Sequence, residues 1–216
     1  MKTIGILGGT FNPIHYGHLR MAQELADDLH MDEIRFIPAA NPPHKNTVSI
    51  SAEHRAAMVG LAIANNPQFM LDERELHRTG TSYTIDTLLS LRAELGNNAS
   101  LTLFMGSDAF TQFNTWHRWQ EVLQHCHIAL VQRPHTIKNQ PSNLLPKILE
   151  DFLHAHYTEN CEDLHSSTAG YITMRQVTAL DISSTAIREA FKQQASTRYL
   201  MPDSVIDYIK THQLYK

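Results

Sequence analysis

Two hydrophobic periods alternate along this chain. Ile4, Ile6 and Leu7 form a short apolar run that ends in Gly8 and Gly9, and Leu19, Ala22, Leu25 and Leu29 then recur at helical spacing. The opening therefore reads as strand, tight glycine loop, helix start. Residues 34–37 are a short β run closed by Pro38, and 51–65 have helical spacing at Met58, Leu61 and Ala62 until Asn65-Asn66-Pro67 stops them. A short strand is expected at 69–71 and a helix at 83–95, with Ile85, Leu88, Leu89 and Leu95 near one face and Gly96 closing it. The unbroken apolar runs 101–105 and 127–131 suit strands buried on both faces. Residues 171–177 alternate as a last strand, and 183–194 and 203–210 read as closing helices. No clear β signal falls in 134–168, where 144–156 suits a helix and the rest a surface loop.

Strand and helix alternating at this spacing predict an α/β fold: a doubly wound parallel sheet, helices on both faces, and a small C-terminal helical segment. No linker or repeat interrupts it, so residues 1–216 are expected to form one domain. Ligands in such sheets bind at the carboxyl ends of the strands. The loops 8–18, 38–45, 106–108, 133–134 and 181–188 all fall there, as the parts of one composite site would.

Composition adds exclusions. Hydrophobic content of 42% and charged content of 19% are ordinary for a globular chain, and a net charge of −4 argues against a nucleic-acid surface held by bulk electrostatics. Cys126 and Cys161 lack metal-like spacing and read as reduced thiols. The first residues open like a signal peptide, but glycines cut the apolar run short, and no stretch is long enough to span a membrane. A soluble, cytoplasmic protein is expected. Fourteen histidines form no compact ligand set, and strand alternation would turn Cys126 away from His125 and His127. No resident metal is expected.

The candidate chemistry starts in residues 5–18. A glycine loop at a helix start lets backbone N–H groups approach a phosphate. His15 and His18 share a helix face there, and Gly17 between them leaves room for a ligand. The plain alternative is a pair of polar residues near a cap. Ser183, Ser184 and Thr185 open a later helix with Arg188 one turn inside. A simple N-cap would explain the serines, but a cation in the first turn opposes the helix dipole and makes better sense beside a bound polyphosphate. Pro38 to Lys45 is a proline-stiffened loop that presents His44 and Lys45. Ser82, Tyr83 and Thr84 open a helix whose N–H groups suit a carboxylate, and Trp116, flanked by polar residues, suits stacking on a flat ring. Asp108 follows Gly106, where it could equally cap a helix, and Trp119 is assigned to packing.

The run from Gly8 through His15-Tyr-Gly-His18 resembles the HxGH signature of a nucleotidyltransferase superfamily, with Asn12 where many members have Asp. Ile182-Ser-Ser-Thr-Ala-Ile-Arg188 resembles its second signature, ISSTxxR. With Pro42-Pro43-His44-Lys45, Glu73-Arg-Glu-Leu, Ser82-Tyr83-Thr84, Gly106-Ser-Asp108, Thr115-Trp116 and Arg133-Pro134, nearly the whole chain is similar to the bacterial nicotinate mononucleotide adenylyltransferases of NAD synthesis. The resemblance implies a Rossmann-like fold and adenylyl transfer from ATP, with Mg²⁺, to nicotinate mononucleotide. It assigns His15 and His18 to catalysis. It places Gly8, Gly9, Thr10, Phe11, Gly106, Asp108, Arg133, Ile182, Ser183, Ser184, Thr185 and Arg188 with them around ATP, and Asn41, His44, Lys45, Tyr83, Thr84 and Trp116 around the mononucleotide.

Three alternatives compete. The first is the same chemistry on nicotinamide mononucleotide, which lacks the carboxylate. The second is a superfamily transferase for phosphopantetheine or a cytidylyl acceptor, against which the Asn-Pro-Pro-His-Lys loop and the tryptophan segment speak. The third is a dinucleotide-binding redox enzyme or nucleotide sensor. Here Leu7 breaks the G-x-G-x-x-G spacing and no acidic residue ends the second strand.

Overall fold

A computed structural model describes residues 1–42, 50–132, 145–178 and 180–216. Strands β1 (Lys2–Gly9), β2 (Glu33–Pro38), β3 (Phe69–Leu71), β4 (Ala99–Gly106), β5 (His127–Gln132) and β6 (Ile172–Gln176) form one sheet in the order β3-β2-β1-β4-β5-β6. Every pairing in it is parallel. Helices α1 (Tyr16–Asp28), α2 (Ala52–Ile63), α3 (Thr84–Leu95), α4 (Ser107–Phe110), α5 (Val122–His125), α6 (Lys147–His156), α7 (Cys161–Ser166), α8 (Ser184–Lys192) and α9 (Asp203–Thr211) connect and follow the strands. The order reverses between β1 and β4, and a crevice opens there beyond the strand ends.

The apolar runs resolve into two faces because side chains alternate along a strand. Ile4 and Ile6 of β1, Leu101, Leu103 and Met105 of β4, and Ile128 and Leu130 of β5 pack with Leu88, Leu91, Phe113 and Leu149. Leu7, Phe36, Phe104 and Val131 pack on the other face, with Leu25, Met58, Ile187 and Val205. Gly5 faces this second layer, where Phe104 and Ile34 from the flanking strands lie 2.5 and 2.6 Å from the position of a would-be Cβ, so any side chain would force them apart. Trp119 packs edge-on against Phe113 and Phe152, as the packing assignment expected.

Two readings of the sequence need correction. The segment after β5 is not all loop beyond its helix: α7 follows α6 and buries Leu164 in the core. Its six residues are too few to display a helical period. His125 also does not share a strand with His127, because it closes α5 and the strand begins only at His127.

His127 is a core residue. Its Nε2–H donates to the Ser167 carbonyl at 3.1 Å and its Nδ1 accepts the Tyr171 N–H at 3.1 Å, so both ring nitrogens are satisfied in the neutral form. Burial pushes its pKa down from 6.5 to about 4. In the window between those values the unfolded chain binds a proton that the native chain refuses. Stability from the neutral ring is therefore complete above the unfolded value and is lost as pH falls toward 4. Denaturant titrations at pH 7 and pH 4.5 should show wild type losing about 2–3 kcal/mol more than His127→Gln over that interval. Equal losses would contradict a neutral buried imidazole. Cys126 beside it is buried, and desolvation pushes its thiol up to about 12, so it has no thiolate chemistry to offer.

Candidate active site

The crevice is floored by the C-terminal ends of β1 and β4. A Cβ at Gly8 or at Gly106 would meet nothing within 4 Å, so both backbones face open space. Gly9 instead lies against the Phe11 ring, with a would-be Cβ 3.0 Å from it. Phe11 is itself buried in the core, edge-on to His18 at 5.2 Å, and toward a ligand it has only backbone to offer.

The HxGH segment forms the start of α1. His15 is the N-cap residue, and its N–H donates to Nδ1 of His18 at 3.3 Å. His18 thus fills the place that Glu or Gln takes in a capping box. With Nδ1 accepting, the neutral His18 ring carries its proton on Nε2, as a donor. The two imidazoles stack at 3.8 Å with 29° between their planes, His15 buried and His18 half-buried. Gly17 does leave room between them, but for the His15 ring rather than directly for a ligand. A Cβ at Gly17 would sit 3.0 Å from two atoms of that ring and 3.6 Å from the Ile182 carbonyl. Gly17→Ala should therefore displace His15 and lower kcat/KM about tenfold to a hundredfold, with no comparable loss of melting temperature because alanine favours the helix. Unaltered kinetics would mean that the His15 position is not critical.

The two signatures meet. Ser183 caps α8, accepting the Ala186 N–H at 3.1 Å. Ser184 Oγ donates to the Pro13 carbonyl at 2.8 Å, and Arg188 Nη1 donates to the Asn12 carbonyl at 2.8 Å. Arg188 Nη2 also reaches Thr185 Oγ1 at 3.2 Å. The ISSTxxR helix is thus tied to the turn that follows β1, and the starts of α1 and α8 border one place.

That turn has further supports that sequence reasoning missed. Arg55 of α2 is fully buried, with Nη1 donating to the Thr10 carbonyl at 2.8 Å, Nη2 to Ala40 at 3.2 Å and Nε to Ile50 at 3.4 Å. Tyr215 donates its hydroxyl to Asn12 Oδ1 at 2.6 Å, and burial raises its pKa, which keeps it a donor. A cation three and four residues before the apolar Met58 and Val59, on the inward face of α2, was the available signal for Arg55. Nothing in the sequence marked Tyr215.

Over these strand ends the crevice forms a cavity of about 570 Å³, a usual size for a small-molecule site, lined among others by Gly9, Thr10, Tyr83, Thr84, Trp116 and His117. Trp116 is half-buried and braced edge-on by Phe113 at 5.4 Å. Tyr83 lies 4.5 Å from the His117 ring. The Ser82 hydroxyl does not cap α3. It accepts the Asn41 N–H at 3.1 Å, while Asn41 Nδ2 donates to the Gly80 carbonyl at 3.0 Å. Tyr83 is the N-cap residue and makes no side-chain cap bond, so no side-chain cap competes for the first N–H groups of α3. Asp108 is exposed in the first turn of α4 and does not cap it, since Gly106 holds that position. His44, Lys45 and Arg133 lie outside the described residues. Among the described residues no cluster of three or more His, Cys, Asp or Glu side chains is placed to hold a metal, and no helix is long and apolar enough to cross a membrane.

Comparison with known proteins decides between the readings. The cytidylyltransferase-like family profile matches residues 6–190. A probable nicotinate-nucleotide adenylyltransferase of Pseudomonas entomophila is 44% identical over 216 residues, covering 100% of this chain and 96% of its own. One of Pseudomonas fluorescens is 45% identical over 215 residues, covering 100% and 98%. The chain belongs to the nicotinate-nucleotide adenylyltransferase family. Nucleotidyl transfer in NAD biosynthesis is that family's activity, and the dinucleotide-binding redox alternative falls. The fold agrees with the Plasmodium falciparum nicotinic acid mononucleotide adenylyltransferase complexed with NaAD, at a TM-score of 0.71 and 20% identity, covering 100% of this chain and 98% of that one. The structure of the same protein complexed with APC gives 0.70 and 19%, with the same coverage. The sheet expected from the alternating pattern is thus the family's Rossmann-like sheet.

Proposed function

We propose that this crevice carries out the family reaction, transfer of the adenylyl group of ATP to nicotinate mononucleotide with release of pyrophosphate, by positioning and charge stabilisation. The observation that supports this reading is the pair of bonds from Ser184 and Arg188 to the Pro13 and Asn12 carbonyls, which joins the two distant signatures at one place.

ATP enters over Gly8, Gly9, Thr10 and the Phe11 backbone, with Ile182 flanking and its ribose hydroxyls toward Gly106 and Asp108. His15 and His18 donate to the α- and β-phosphates. Ser183, Ser184 and Thr185 at the start of α8, with Arg188, hold the departing pyrophosphate. Mg²⁺ arrives on ATP as part of the substrate, bound mainly by phosphate oxygens and water. The mononucleotide stacks its pyridine on Trp116 and turns its carboxylate to the uncapped start of α3 at Tyr83 and Thr84, beside Asn41. On sequence grounds alone, His44 and Lys45 join the acceptor side and Arg133 the ATP side. The acceptor phosphate is already an anion, so it attacks the α-phosphorus without a strong general base. Pyrophosphate release measured with ATP and nicotinate mononucleotide, together with the mass of the nucleotide product, tests the reading. Release that needs both substrates, with nicotinate adenine dinucleotide as product, is expected. Release from ATP alone would make the protein a hydrolase.

A further inference from the structure

Glu75 stands at the edge of the same cavity and none of the roles above uses it. It is 7% exposed, and its Oε1 accepts the hydroxyl of Thr87 in the first turn of α3. Its Oε2 is buried without a hydrogen-bond partner among the described residues. A buried carboxylate oxygen left unpaired is costly, and native chains keep such groups where something else completes them. Among the described residues, no cation has a hydrogen bond to Oε2. Arg78 Nη2 donates to Thr87 Oγ1 at 3.3 Å, and Arg55 holds the carbonyls of Thr10 and Ala40.

We propose that Glu75 is a further binding residue for the acceptor mononucleotide, its Oε2 accepting a hydrogen bond from a ribose hydroxyl. The proposal rests on the acceptor reading above. Thr87 lies one turn along α3 from Tyr83 and Thr84, which puts Glu75 on the acceptor side of the cavity rather than beside the polyphosphate. An acceptor oxygen needs a donor. A nicotinate mononucleotide with ionised phosphate and carboxylate has no donors except its two ribose hydroxyls. Its N-glycosylated ring is cationic, so a nearby carboxylate is also favoured by charge. The ring carboxylate is repelled by Glu75 and kept at the α3 N–H groups, which fixes the sense in which the ring lies.

Glu75→Gln keeps the volume and an oxygen for Thr87 while turning Oε2 into an N–H donor. Steady-state kinetics and calorimetric binding should show KM and Kd for nicotinate mononucleotide rising about tenfold, with KM for ATP unchanged within about twofold. Either the 2′-deoxy or the 3′-deoxy mononucleotide should cost wild type a similar factor and cost Glu75→Gln little more. An unchanged KM in the variant overturns the proposal, as do losses that multiply when variant and deoxy analogue are combined. If the variant does not fold, the wild type decides alone: full affinity for both deoxy analogues overturns the proposal. Wild type that fails to turn over nicotinate mononucleotide defeats the acceptor reading and this proposal with it, whereas turnover with an indifferent Glu75→Gln defeats only the proposal.

Discussion

His18→Ala is expected to lower kcat about 10²-fold or more while leaving KM for ATP close to wild type. The reason is differential binding. A donor aimed at phosphoryl oxygens gains most when charge builds on them, so its loss falls on the transition state rather than on bound ATP. The same ring also has a structural role, since Nδ1 accepts the His15 N–H. Losing that cap costs about 1 kcal/mol. Two near-isosteres separate the roles. Asparagine presents an acceptor near the place of Nδ1, and glutamine presents an N–H near the place of Nε2. If donation to phosphate is what matters, His18→Gln retains more kcat than His18→Asn, and His18→Asn retains more thermal stability. The reverse order in kcat would assign His18 to capping alone.

Arg188→Ala is expected to lower kcat/KM for ATP about 10²-fold with little change in KM for the mononucleotide. Arg188→Lys should recover little of it. The guanidinium fork already spends one N–H on the Asn12 carbonyl and another on Thr185 Oγ1, and it still has N–H groups for phosphate. A lysine ammonium cannot serve both directions in fixed geometry. Loss of the Asn12 bond alone is worth about 1 kcal/mol, which for a chain of this size lowers the melting temperature by about 2–4 °C. A large kinetic loss with a small thermal one is thus the expected pattern. A lysine variant as active as wild type would show that Arg188 acts only as a diffuse positive charge.

The periodic parts of this chain were legible. Each strand run placed its side chains on two faces, and the helices expected at 83–95 and 203–210 lie within a residue of α3 and α9. The signatures were legible as separate stretches, because glycine, histidine, serine and arginine stand in them at fixed spacing. Their union was not. Ser184 and Arg188 bind main-chain carbonyls of Asn12 and Pro13, and carbonyl acceptors have no residue type to read. The partners of Arg55 were hidden for the same reason, although its place on the inward face of α2 was readable. Gly17 was read in the right place with the wrong occupant, since only three dimensions reveal that the neighbouring imidazole fills the space. The α7 turn was too short for periodicity to register.

In the proposed reaction the acceptor lies in the crevice with its carboxylate at the start of α3, where no side chain caps the helix. The most direct test of this placement is the ratio of kcat/KM for nicotinate mononucleotide to that for nicotinamide mononucleotide at saturating ATP. Charge-assisted bonds to the helix N–H groups predict a preference for the acid of about tenfold or more. Equal values, or a preference for the amide, would contradict the account.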